Sequence, residues 1–186
     1  MPSGSTHSRR NATHQIQRLA RNLATLTAVG MILLPLTIAA VWIFPQWLSV
    51  MPTIGAVSVD LTETSLLARI LALATQLIGV SILIYGLAGL RQTFHESARG
   101  YWFSARSIAG FRRFAWVSLA MVFVGVFQNA VLTAVVSAGT PGMPNQMSIS
   151  FGSADLAKLF SALLFVFVAQ IFVAGKAIDD ENASFI

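Results

Sequence analysis

Residues 66–90 read LLARILALATQLIGVSILIYGLAGL, and the only charge among them is Arg69, close to the start. A bilayer core is crossed by about 20 predominantly apolar residues, so this stretch is long enough to span it. Three further runs qualify, at 23–44, 114–136 and 156–178. Lys158 and Lys176 lie, like Arg69, within a few residues of a run's end, where a long cationic side chain can snorkel to the interface. The fold expected is an all-α membrane protein, a bundle of four transmembrane helices. The first run exceeds the usual signal-peptide core of about 7–15 residues and is read as an anchor that stays.

Composition supports this reading. Of 186 residues 55% are hydrophobic and only 10% charged, with mean hydropathy +0.72. A soluble domain carries about 25% charged residues, so too few remain here to solvate a globular surface. The net charge of +5 does not point to nucleic acid, because the charges gather at the ends of apolar runs, where they orient a membrane protein. The absence of cysteine removes disulfides, thiolate metal sites and cysteine nucleophiles together.

Orientation follows from the basic residues in the short connections. Arg9, Arg10, Arg18 and Arg21 precede the first run, and Arg91, Arg99, Arg106, Arg112 and Arg113 lie between the second and third. The other two connections, 45–65 and 137–155, hold no Lys or Arg and carry Asp60, Glu63 and Asp155. The expectation is an inner-membrane protein with both termini cytoplasmic. Residues 1–20 form a flexible basic tail, 21–178 the transmembrane domain and 179–186 an acidic tail.

The two outer connections resemble each other. Val57-Ser58-Val59-Asp60-Leu61 and Met147-Ser148-Ile149-Ser150-Phe151 both alternate with period two, the pattern of a half-buried strand. Each is followed by hydroxyl and acidic residues suited to a helix N-terminus. This predicts two parallel helix–strand–helix hairpin repeats related by an axis along the membrane normal. The two strands would pair as a small periplasmic ribbon.

The segment 91–113 carries the densest chemistry. Ser104 is placed to cap a helix leading into the third span, and Tyr101, Trp102 and Phe103 sit where aromatic belts form. One reading is interfacial anchoring with attraction to anionic lipid head groups, worth about 1 kcal/mol per basic residue. The other is a docking face for a cytoplasmic protein partner, with Arg91, Arg99, Arg106, Arg112, Arg113 and the three aromatics as anchors. The acidic residues Asp179, Asp180 and Glu181 fall beside this segment and would attract it weakly.

Within the spans the polar residues are Gln76, Gln128, Asn129 and Gln170. Interhelical hydrogen bonding, at about 0.6 kcal/mol each, accounts for them; a polar pocket for a small ligand or lipid head group is the alternative. No Asp, Glu or His lies in the middle of a span, as a proton or ion relay would need. The histidines, His7, His14 and His95, are outside the spans. No enzyme activity, cofactor or metal is therefore expected.

The pattern Leu90-Arg91, Phe94, Gly100, Phe103-Ser104 and Phe111-Arg112-Arg113-Phe114-Ala115, with the ending Phe172-Val173-Ala174-Gly175-Lys176-Ala177-Ile178-Asp179-Asp180-Glu181-Asn182-Ala183-Ser184-Phe185-Ile186, resembles the YoaS-like family of small bacterial four-helix membrane proteins, a domain of unknown function. The resemblance covers nearly all of the chain after residue 20. It implies four helices with cytoplasmic termini, and a small helix-turn-helix regulator as the cytoplasmic partner; it implies no catalytic residue. A non-enzymatic module that binds, anchors or regulates a partner is thus the leading expectation. An oligomeric transporter or channel component, and a structural subunit of a larger complex, are the alternatives.

Overall fold

The computed structural model describes residues 4–44, 53–54, 57–58 and 61–184, with side chains described at 14–44, 61–178 and 180–181. Four helices run through these residues: α1 Gly4–Ile43, α2 Leu66–Ala98, α3 Ala105–Gly139 and α4 Ser153–Ser184. Each contains a stretch long and apolar enough to cross a membrane, as in a multi-pass membrane protein. The helices outrun their spans. At about 1.5 Å per residue the 33 residues of α2 extend about 50 Å, against a hydrocarbon core of about 30 Å. Most of 91–113 is therefore helical, and the turn itself occupies only 99–104. The stretch read as a basic tail is likewise continuous with the first span, since α1 begins at Gly4 and passes through Pro35.

The helices pack in chain order, α1 on α2, α2 on α3 and α3 on α4; among the described residues α1 and α4 do not pack on each other. The α2–α3 seam is the most extensive, and small residues make it. From the α2 N-cap onward, Ser65, Ala72, Gly79, Gly86 and Thr93 recur every seven residues, the interval at which one stripe keeps facing a partner in a left-handed pair. A methyl group on Gly86 would strike Val117, and one on Gly89 the carbonyl oxygen of Gly110. Hydrogen bonds pin both ends. The Ser65 N–H donates to the Gly139 carbonyl (2.8 Å), and the Thr93 hydroxyl donates to the Ser107 carbonyl (2.9 Å).

The apolar core sits at the end that is poor in Lys and Arg, where Trp42, Leu61, Ala72, Leu132 and Val136 bring α1, α2 and α3 together. α4 attaches differently, through rings. Phe172 lies 5.5 Å from Phe111 and 6.0 Å from Phe103, and Phe165 lies 5.4 Å from Phe114. Phe160 and Phe167, on the same helix, are 71% and 62% exposed and face outward.

The outer connections depart from the expected ribbon. A two-residue strand β1, Thr53–Ile54, pairs antiparallel with β2, Val57–Ser58, so the first connection pairs with itself. Residues 147–151 carry no regular secondary structure, and Val59 and Asp60 of the other expected strand lie outside the described residues. Chain entropy favours the local pairing, because closing a short loop costs less than joining distant segments. The second connection is also tied back onto α3. The Ser137 hydroxyl accepts from the Gln146 N–H (3.2 Å) and donates to the Gln146 carbonyl (3.1 Å), while Pro141 and Pro144 have no N–H to offer a ladder.

Candidate functional site

Ser104 accepts a hydrogen bond from the Ser107 N–H (3.0 Å) and so starts α3, as its position predicts. On the other limb the Glu96 carbonyl receives both the Arg99 N–H (3.0 Å) and the Tyr101 N–H (3.1 Å), closing α2. Gly100 then reverses the chain at φ +88°, a conformation that costs a residue with a Cβ and costs glycine almost nothing. The Ser104 hydroxyl also reaches the Glu96 carboxylate (3.4 Å), so the two caps share an atom pair. The result is a preformed helical hairpin head, with Gln17 of α1 alongside Gly100.

All eight predicted docking residues lie on this head and its two stems. Arg91 and Arg99 are exposed on and just past α2, Arg106, Arg112 and Arg113 on the first turns of α3, and Tyr101, Trp102 and Phe103 in the turn. Tyr101 is 63% and Phe103 57% exposed, although Phe103 also meets Phe172 edge-on. Arg113 lies over the Tyr85 ring at 4.9 Å, a cation–π contact that fixes the direction of one arginine. The expected attraction of the acidic tail to this head is not what Asp180 does. It pairs with Lys176 of its own helix, one turn back, because α4 continues to Ser184. The side chain of Asp179, and Phe185-Ile186, lie outside the described residues.

Three of the four polar span residues gather. Gln76, Gln128 and Asn129 line a cavity of about 420 Å³ with Ile38, Val80 and Leu132 among its walls. The Gln76 side-chain carbonyl accepts from the Trp42 indole N–H (3.0 Å). The Gln128 amide donates to the Thr75 carbonyl (3.1 Å), over Gly79, where a methyl group would strike that amide. These two bonds tie α1 to α2 and α3 to α2, as interhelical glue does. Asn129 also borders a second cavity of about 190 Å³ against Asp155 and Lys158 of α4. Gln170 is exposed on α4 and joins neither.

Sequence reasoning missed the glycine seam and the Trp42–Gln76 bond. The first was visible as a seven-residue spacing. The second joins residues 34 apart and leaves no local signal. Among the described residues no group of His, Asp and Glu is arranged to hold a metal ion. No protein-family model, curated protein or solved structure matches the chain.

Proposed function

We propose that this chain is a non-enzymatic module of the bacterial inner membrane, with both termini and the hairpin head in the cytoplasm, that docks a cytoplasmic protein partner on the head. The observation that carries the reading is five exposed arginines and three exposed aromatics on one preformed hairpin. Fixing such side chains before association lowers the ordering cost of binding, and Arg, Tyr and Trp are the residue types that dominate interface energies. The charge selects an acidic partner surface. The resemblance to YoaS-like proteins adds a helix-turn-helix regulator as the class of partner. Anionic lipid head groups compete for the same arginines and hold the head at the membrane surface between encounters.

The test is the triple charge reversal Arg99→Glu, Arg106→Glu and Arg112→Glu, with purification from the native host in nanodiscs and mass spectrometry of co-purifying proteins. A stoichiometric partner lost from the variant is the expected result. An unchanged set of interactions refutes the reading. A second reading, a homo-oligomeric transporter or channel component, draws on the cavity between Gln76, Gln128 and Asn129. Flux through liposomes above that of empty vesicles is its test.

A further inference from the structure

Arg69 stands apart from every other cation at its end of the molecule. It lies one turn into α2, where its backbone N–H donates to the Ser65 carbonyl (3.0 Å). Its side chain lines a cavity of about 350 Å³ whose other walls are Trp42, Ile43, Leu66, Ile70 and Leu73. The Nε of Arg69 is buried without a hydrogen-bond partner, alone in this among the described side chains. Arg69 as a whole is half-buried, and a guanidinium does not escape the penalty on its buried Nε by losing its proton, so that atom calls for an acceptor.

Among the described residues none supplies one. The ion pairs there are Lys158–Asp155 and Lys176–Asp180. Lys158 makes the comparison sharp, because it also lies early in a helix at the same end. Asp155, one turn before it, takes its ammonium at 2.9 Å. The matching turn before Arg69 offers Ser65 and Leu66. The indole N–H of Trp42 is already committed to Gln76, so among the described side chains of the cavity Arg69 is the one polar group left facing an apolar wall.

One cation above an apolar wall describes an amphiphile with an anionic head. Leu66, Ile70 and Ile43 are 67%, 56% and 53% exposed, so the cavity opens sideways into the bilayer. Arg69 lies three residues past the start of α2, about 5 Å along its axis, the depth of phosphates and glycerol rather than of chain ends. We propose that this groove between α1 and α2 is a binding site for a phosphatidylglycerol molecule of the outer leaflet. Its phosphodiester takes the Arg69 guanidinium, and one acyl chain lies along Ile43, Ile70 and Leu73. Among the described residues no carboxylate lines the cavity to receive an ammonium, which favours phosphatidylglycerol over phosphatidylethanolamine. The site stands independently of the docking head; only the choice of leaflet rests on the proposed orientation.

The experiment is native mass spectrometry of the full chain released from nanodiscs, titrated with phosphatidylglycerol at about 0.5 M salt, where the exposed arginines of the head are screened. The wild type is expected to retain one phosphatidylglycerol. Arg69→Gln should weaken it about 10–100-fold, the range for a hydrogen bond to a charged group, and Lys158→Gln should leave it unchanged. Ile70→Trp, which fills an exposed wall of the groove without touching the charge, should weaken it as well and guards against misfolding of the Arg69 variant. Equal retention by wild type, Arg69→Gln and Ile70→Trp overturns the proposal. So does equal affinity for phosphatidylethanolamine, or competition by inorganic phosphate at the concentration of the lipid.

Discussion

Replacing Gly89 with alanine drives a methyl group into the Gly110 carbonyl oxygen across the α2–α3 seam, with the Arg113 side chain close on its other flank. A backbone carbonyl cannot rotate away as a side chain can, so the helices must part locally. Overpacking of this kind costs about 1–3 kcal/mol. Separation also stretches the bond from Thr93 to the Ser107 carbonyl, one turn further on, worth about 0.6 kcal/mol in a membrane interior. Alanine is the better helix former by about 1 kcal/mol, but that gain is common to any helical Gly→Ala change. Gly125 provides the comparison, since a methyl group there meets nothing within 4 Å. In the difference between Gly89→Ala and Gly125→Ala the propensity gain cancels, leaving Gly89→Ala about 1.5–3.5 kcal/mol less stable. Unfolding of both variants in mixed micelles by increasing sodium dodecyl sulfate, followed by tryptophan fluorescence, measures that difference. Two variants of equal stability would refute the close approach of the helices at Gly89 and Gly110.

Gln128→Leu removes the donor to the Thr75 carbonyl and puts bulk against Gly79; a loss of about 0.6–1.7 kcal/mol is expected in the same micelle assay. Ser104→Ala removes the α3 cap at a cost of about 1 kcal/mol. Faster amide hydrogen exchange at 105–108, with none at the α2 start, is the readout that separates loss of the cap from general destabilisation.

Much of this architecture is legible in the sequence, and for identifiable reasons. A run without charges in its middle has one stable environment, so 66–90 and 156–178, whose cations lie near their ends, announce themselves as spans. Ser65 and Ser104 fix where α2 and α3 begin, because a hydroxyl just before a helical run meets orphan N–H groups. The far ends are harder to read. Hydropathy falls at Arg91, at the end of the apolar run, yet α2 runs to Ala98, because Gln, Glu and Ala sustain a helix about as well as Leu does. That one difference turns an expected loop into a helical hairpin head, which carries all eight of the residues predicted to dock a partner. The pairing partners of Gln76 and Gln128 depend on helices meeting in space, which no local spacing encodes. The alternating pattern of 147–151 does not become a strand, because the chain just before it is tied back to Ser137 through Gln146.

The α2–α3 pair is fastened near both extremities, by Ser65 to Gly139 at one and by Thr93 to Ser107 at the other. A hairpin held this way cannot slip by a helical turn, the usual ratchet between packed helices. It behaves as a rod of fixed length through the bilayer. Any message carried from one side of the membrane to the other must then travel as tilt or rotation of that rod as a whole, or as displacement of α1 or α4 against it. Of the two, α4 is the looser lever, joined to α3 through facing phenylalanine rings that can slide and re-seat.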